Sequence, residues 1–245
     1  MIVAYGVDSA DPAPSVSSLR DARLGFAARY LSPPGNSKNL TAAEAMRLHR
    51  GGIDIVTVWE SWATRASEGK RAGIDDSKAA LALGKECGAP AGFPVFFAVD
   101  YDATGQTAQL SGYFQGAISV LGIGRVGLYG GLAAIEFAYG LGIRRLWQTY
   151  AWSGGVWHPG ASLRQYSNGH TVGGVEVDLD YATAADFGQW LYVAPVVAKP
   201  VVKSIIHAIR PPLLGPWTHR PTEIRPGYEV LGPTGGKHLY YERRK

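Results

Sequence analysis

Eight short runs rich in β-branched and aromatic residues recur along the first 190 residues, with helix-like stretches between several of them. They lie at Val3–Asp8, Leu24–Leu31, Ile53–Glu60, Pro94–Asp100, Arg125–Gly130, Arg145–Ala151, Leu163–Ser167 and Val175–Asp180. The intervening segments Thr41–Arg50, Asp76–Cys87 and Thr107–Leu121 carry the apolar spacing of amphipathic helices. Strands that alternate with helices inside one core-sized stretch call for an α/β fold, here a compact (β/α)8 TIM-like barrel. A doubly wound open sheet is the alternative.

The barrel reading directs attention to strand ends, because such barrels gather their functional residues at the C-terminal face. The first strand ends in Asp8, the third in Glu60, the fourth in Asp100 with Asp102 just beyond, and the eighth in Asp178 or Asp180. Tyr30, Tyr129, Trp147, Gln148, Tyr150, Gln165 and Tyr166 lie near other strand ends. Acids that recur at strand ends, rather than being spread over helices, point to a common site.

The run FFAVDYDAT, residues 96–104, carries the sharpest local signal. In an extended strand positions i and i+2 share a face about 6 to 7 Å apart, so Asp100 and Asp102 are expected to face the same space. Glycosidases work with paired carboxylates at about 5 to 9.5 Å. The competing reading makes Asp102 or Thr104 the cap of a turn or helix start. Alternation places Val56, Val58 and Glu60 on one face. An inward acid left unpaired in a dry core costs several kcal/mol, so Glu60 should reach the wet mouth or pair with Arg29. Asp8, followed by Ser9 and Asp11, either serves the site or caps its own turn.

Several chemistries lack a foothold. GIGRVG at Gly122–Gly127 matches the dinucleotide fingerprint formally, but a helix precedes it and a strand follows, the reverse of what phosphate binding requires. The six histidines show no metal-ligand spacing, and no serine-hydrolase elbow or phosphate-binding loop occurs. No cofactor and no metal are expected. The lone cysteine, Cys87, reads as a half-buried helix residue without a disulfide partner.

The net charge of +4 is unevenly placed. Residues 1–190 hold 15 Lys+Arg against 17 Asp+Glu, and residues 191–245 hold 9 against 3. The body therefore presents no basic surface for nucleic acid. The last 55 residues also hold 8 of the 15 prolines, a density that excludes long helices and central strands. The division expected is a barrel over 1–190 and a proline-rich, basic docking or targeting extension over 191–245. No run is long and apolar enough to span a bilayer. The start, MIVAYGVDSADPAP, lacks a basic region and an apolar core, so the expectation is a chain without a signal peptide, made in the cytoplasm.

Taken together, GVD at Gly6–Asp8, FFAVDYDAT, GLYGG at Gly127–Gly131, LWQTYAW at Leu146–Trp152 and LRQYSNG…GGVEVDLDYA resemble a glycoside-hydrolase-like domain of unknown function from actinobacterial envelope proteins and their phages. More distantly the chain is similar to the family 25 lysozymes, which open with G-(I/V)-D and close with Q-Y…D-L. The resemblance spans about residues 1–190. It implies a (β/α) barrel and a cell-wall polysaccharide substrate, most plainly peptidoglycan, with action at the bacterial wall after lysis or as part of a phage virion. By the same resemblance Asp102 is the proton donor, Asp100 orients or stabilises the reacting centre, and Asp8 and Asp178 support it. The lysozymes carry Asp-x-Glu where this chain has Asp100-Tyr101-Asp102, which leaves Glu60 as a second candidate donor. Asp178, Tyr129, Gln148, Tyr150, Gln165, Trp59 and Arg29 are the candidate substrate-binding residues. Three readings stand: a wall-glycan hydrolase, a barrel that binds glycan without cleaving it, and a structural phage tail protein docked to other virion proteins through residues 191–245.

Overall fold

The computed structural model describes residues 1–192, together with 228–230 and 241–243, which pair as a small antiparallel ribbon. The chain divides into two units, Met1–Val196 and Val197–Lys245, and the eight-stranded barrel lies wholly in the first. Most of the segment expected as a docking extension lies outside the described residues.

All eight expected strands are present and close a barrel in sequence order: β1 (Ala4–Asp8), β2 (Phe26–Leu31), β3 (Asp54–Trp59), β4 (Val95–Val99), β5 (Val126–Gly130), β6 (Arg145–Thr149), β7 (Leu163–Val172) and β8 (Val175–Ala182). Five helices cover it: α1 (Val16–Asp21), α2 (Ala42–Arg50), α3 (Gly69–Glu86), α4 (Leu110–Leu121) and α5 (Leu132–Gly140). Thr41 caps α2 by accepting from the Glu44 amide, the T-x-x-E arrangement that satisfies an otherwise orphaned helix donor.

The last quarter departs from a regular (β/α)8 repeat. β1 to β7 pair in parallel, but β8 runs antiparallel to both β7 and β1. The cause is local. Gly173 and Gly174, with φ of +57° and +83°, turn the chain in two residues, and only a hairpin can follow such a turn. β8 therefore enters the barrel from the mouth, and its register sets Asp178 opposite Asp8 and Asp180 opposite Gly6, one step deeper.

Strand alternation separates two cores. The lumen is filled by Phe26, Ala28, Val56, Val58, Phe96, Ala98, Trp147, Leu163 and Ala182, with Phe187 packed against them. The opposite parity, including Ala27, Ile55, Trp59, Phe97 and Leu128, packs outward against the helices. Burying each large ring contributes about 2 to 3 kcal/mol. Gly6 belongs to the lumen layer for a steric reason, since the Phe26 ring occupies the place of any Cβ there.

Candidate active site

The parity that fills the lumen with apolar residues continues into polar ones at the mouth. Asp8 follows Gly6, Tyr30 follows Ala28, Glu60 follows Val58, Asp100 follows Ala98, Thr149 follows Trp147 and Gln165 follows Leu163, each two residues on. β8 supplies Asp180 and then Asp178 from the opposite direction. Side chains far apart in sequence are thus delivered to one rim by the period of two. A cleft of about 260 Å³ opens there, lined by Asp8, Ser9, Ala10, Asp11, Tyr30, Glu176, Val177 and Asp178.

Gln165 organises the floor. Its Nε2 donates to Asp8 Oδ2 at 2.7 Å and to Asp178 Oδ2 at 3.3 Å. Its Oε1 accepts from Tyr129 Oη at 3.0 Å and Thr149 Oγ1 at 2.8 Å. Asp8 is 5% exposed. Burial pushes its pKa up to about 6, opposed by the Gln165 hydrogen bond and assisted by the charges of Asp178 and Asp100.

Beneath it Asp180 is fully buried. Trp147 Nε1 donates to Asp180 Oδ1 at 2.8 Å, while Oδ2 finds no donor among the described residues. Burial, and then the charge of Asp8, hold the Asp180 carboxyl well above the usual carboxylate range. Its raised pKa favours the neutral acid, which avoids burying a second anion beside Asp8.

The other wall of the mouth holds Glu60 and Asp100. Burial raises both pKa values; the Lys38 ammonium opposes each rise, and the Asp100 charge adds to that of Glu60. Lys38 Nζ lies 3.9 Å from Glu60 Oε1 and 4.9 Å from the centre of the Tyr30 ring. The Glu60 backbone is tied to β2 by its N–H to Leu31 O and by Ser32 Oγ–H to its carbonyl.

Several sequence expectations are corrected by this geometry. Asp102 does not share the space of Asp100, because the chain bends at Tyr101, just past the end of β4, and the extended path does not reach Asp102. Asp102 is exposed, and its Oδ1 accepts from the Thr104 amide at 3.0 Å, so it is the turn cap of the competing reading and its pKa is lowered. Arg29 does not pair with Glu60. It faces outward, fully buried, with Nε 2.7 Å from Glu44 Oε1 and further bonds to the carbonyls of Ser9 and Lys38. Trp59, 3% exposed, packs in the outer core and offers no open ring face. Gln148 is likewise outward and buried, donating to Ser153 Oγ and Val156 O and accepting from His158 N, which frames the β6–β7 loop.

Tyr129 and Gln165 lie on the floor as described. Tyr150 stands exposed just past β6, its N–H bonded to Gln165 O. Sequence reasoning passes over Thr149 and Lys38 and gives Tyr30 and Asp180 no role. The two-residue period from Trp147 and Ala28 marks Thr149 and Tyr30, whereas Lys38 sits in a loop with no periodic signal. Cys87 follows α3, buried, its thiol donating to Leu40 O at 3.1 Å and its pKa pushed up to about 11 by burial. Among the described residues no cluster of His, Cys, Asp or Glu is arranged to hold a metal, and no helix is long and apolar enough to cross a membrane.

A closed α/β barrel with acidic side chains at its mouth is consistent with a glycoside-hydrolase-like domain. The chain belongs to the Rv2525c-like, glycoside hydrolase-like domain family, which it matches over residues 17–182. Asp8 precedes the matched span yet sits within the barrel. A curated relative, "Putative peptidoglycan hydrolase Rv2525c" of Mycobacterium tuberculosis, is 28% identical over 71% of this chain and 78% of its own length. The crystal structure of that Tat-secreted protein superposes with a TM-score of 0.69, covering 77% of this chain and 99% of the other. A family 25 glycosyl hydrolase from Bacillus anthracis shares the fold at 11% identity and a TM-score of 0.52, covering 76% and 91% of the two chains. The mycobacterial relative is Tat-secreted, and that finding overturns the expectation of a chain without a signal peptide, made in the cytoplasm and acting after lysis or within a phage virion.

Proposed function

We propose that this chain hydrolyses a glycosidic bond in bacterial cell-wall glycan, with peptidoglycan as the first substrate to test. The observation that carries the reading is the inward-facing set Asp8, Glu60, Asp100 and Asp178 on four strands of one mouth, each with its protonation favoured by burial. General acid catalysis needs a carboxyl group that retains its proton near the working pH and that substrate can reach.

With Asp102 acting as a turn cap, Glu60 is the proton donor. It is partly exposed at the mouth, and the neighbouring Asp100 charge strengthens its hold on a proton. Asp100 is the opposing carboxylate, which carries negative charge toward the developing oxocarbenium centre. Asp8, Asp178, Gln165, Tyr129 and Thr149 form a hydrogen-bonded floor suited to sugar hydroxyls, and Tyr150 adds an aromatic at its edge. The name of the mycobacterial relative supports peptidoglycan as the substrate class.

The test is release of reducing ends from purified peptidoglycan, with soluble glycan binding measured by calorimetry alongside. Binding without release would make the barrel a carbohydrate-binding scaffold. The virion-docking alternative rests on residues 191–245, almost all outside the described ones, and no observation favours it. Removing those residues tests it through particle assembly.

A further inference from the structure

Trp62 lies on the loop leaving β3, two residues beyond Glu60 at the rim, and 48% of it is exposed. An indole left so open gives up much of the stabilisation that burial would bring, so core packing does not explain its presence. It is nevertheless held firmly. Its Nε1–H donates to Glu68 Oε1 at 2.9 Å, and the Arg65 guanidinium lies 4.8 Å from the ring centre. Arg65 is itself fixed. Nε and Nη2 make a bidentate pair with Asp76 Oδ2 and Oδ1 at 2.9 and 2.8 Å, and Nη1 reaches Glu68 Oε2 at 2.7 Å. Asp76 is 4% exposed and also accepts from Tyr113 Oη at 2.8 Å, which roots the assembly in the α3–α4 interface.

We propose that Trp62 is a sugar-stacking platform: its guanidinium-backed indole receives the apolar face of a pyranose ring in the glycan next to the one reacting at Glu60. This rests on the reading of the mouth as a glycan-cleaving site and gives it a binding residue outside the cleft floor. Three properties converge. With 48% of the residue exposed, indole surface stays open beside the Arg65 guanidinium. Tethers at the indole nitrogen and through Arg65 fix the ring before ligand arrives, so stacking adds little ordering cost. The position two residues from Glu60 corresponds to at most about 7 Å of chain, which matches the offset of a neighbouring sugar rather than the reacting one. The substrate class is therefore a glycan long enough to occupy at least two subsites.

The experiment uses the full chain carrying Glu60→Gln, so that binding is read without turnover, and a soluble β-1,4-linked N-acetylglucosamine tetramer as probe. Calorimetry is expected to show that Trp62→Ala weakens binding about tenfold, equivalent to about 1.4 kcal/mol, whereas Trp62→Phe stays within about threefold of its parent. The indole N–H resonance of Trp62 should shift on titration with the tetramer in the Trp62-containing protein. Equal affinity of Trp62→Ala and its parent, an unmoved indole resonance, or no tetramer binding by the parent would each overturn the platform. Its failure is separable from that of the hydrolase reading. Wall cleavage with Trp62-independent binding removes the platform alone, while Trp62-dependent binding without any cleavage by the unsubstituted protein removes the hydrolase reading alone.

Discussion

The Gln165 side-chain nitrogen lies 2.7 Å from Asp8 Oδ2, and this single bond joins the first strand of the barrel to the seventh beneath the mouth. The same amide bridges three other groups: Asp178 through its nitrogen, Tyr129 and Thr149 through its oxygen. Replacement by leucine strips a donor from Asp8 and an acceptor from two hydroxyls, with no water-free substitute at hand. Each orphaned buried group costs about 1 to 3 kcal/mol. Gln165→Leu is expected to lower unfolding stability by about 2 kcal/mol or more in urea titration, and to raise the Asp8 pKa further because the bond removed favours its anion.

Asp8 makes stability fall as pH rises. Its native pKa of about 6 exceeds the ordinary 3.8, so between these values the folded protein binds more protons than the unfolded chain. The contribution is complete below about pH 4 and lost as pH climbs through about 6, a change of about 3 kcal/mol. Asp100, Asp178, Glu60 and Asp180, all raised, act with the same sign. Asp8→Asn should flatten the decline and be more stable than the parent at pH 7, read from urea midpoints at several pH values. An unchanged pH profile in the variant would show that Asp8 is ordinarily acidic.

Arg29 and Glu44 form a buried ion pair, their side chains 0% and 6% exposed. Arg29 also holds the Ser9 carbonyl, and Glu44 accepts from the Ala13 amide at 2.7 Å, so the pair fixes the loop that follows Asp8. Arg29→Met leaves a buried carboxylate without its cation, a loss of about 3 to 5 kcal/mol. The double variant Arg29→Met/Glu44→Gln should recover part of that loss. Equilibrium unfolding of the two variants checks the order.

The positions of the strands were legible because β-branched runs and their period of two survive in the linear chain. The same alternation that turns Glu60 inward with Val58 turns Trp59 outward, so the burial of Trp59 was legible too once parity is applied strictly. Other features depend on where a strand stops. Asp102 follows Asp100 by the favourable interval, but the backbone has left the strand by then, and a Thr104 amide captures the side chain. The Arg29 partner is decided by how α2 docks, which no local pattern encodes. The direction of β8 hinges on the Gly173–Gly174 turn, and only that reversal places Asp178, rather than Asp180, at the rim beside Asp8.

The mouth acids differ in burial and charge partners, so they should differ in consequence. Asp178→Asn removes a carboxylate from the cleft lining and leaves one acceptor oxygen for two donors, the Gly169 amide at 2.9 Å and Gln165 Nε2 at 3.3 Å. It is expected to weaken glycan binding several-fold while leaving the chemical step less affected, seen as a rise in KM larger than the fall in kcat.

The most direct measurement compares reducing-end release from purified peptidoglycan by the parent and by Glu60→Gln, Asp100→Asn and Asp102→Asn, each confirmed folded by circular dichroism. The account predicts losses of about a hundredfold or more for Glu60→Gln and Asp100→Asn, and activity within about threefold of the parent for Asp102→Asn, whose side chain only caps a turn. Full activity in Glu60→Gln together with its loss in Asp102→Asn would contradict the assignment of the donor, and undiminished release by all three would contradict carboxylate catalysis at this mouth.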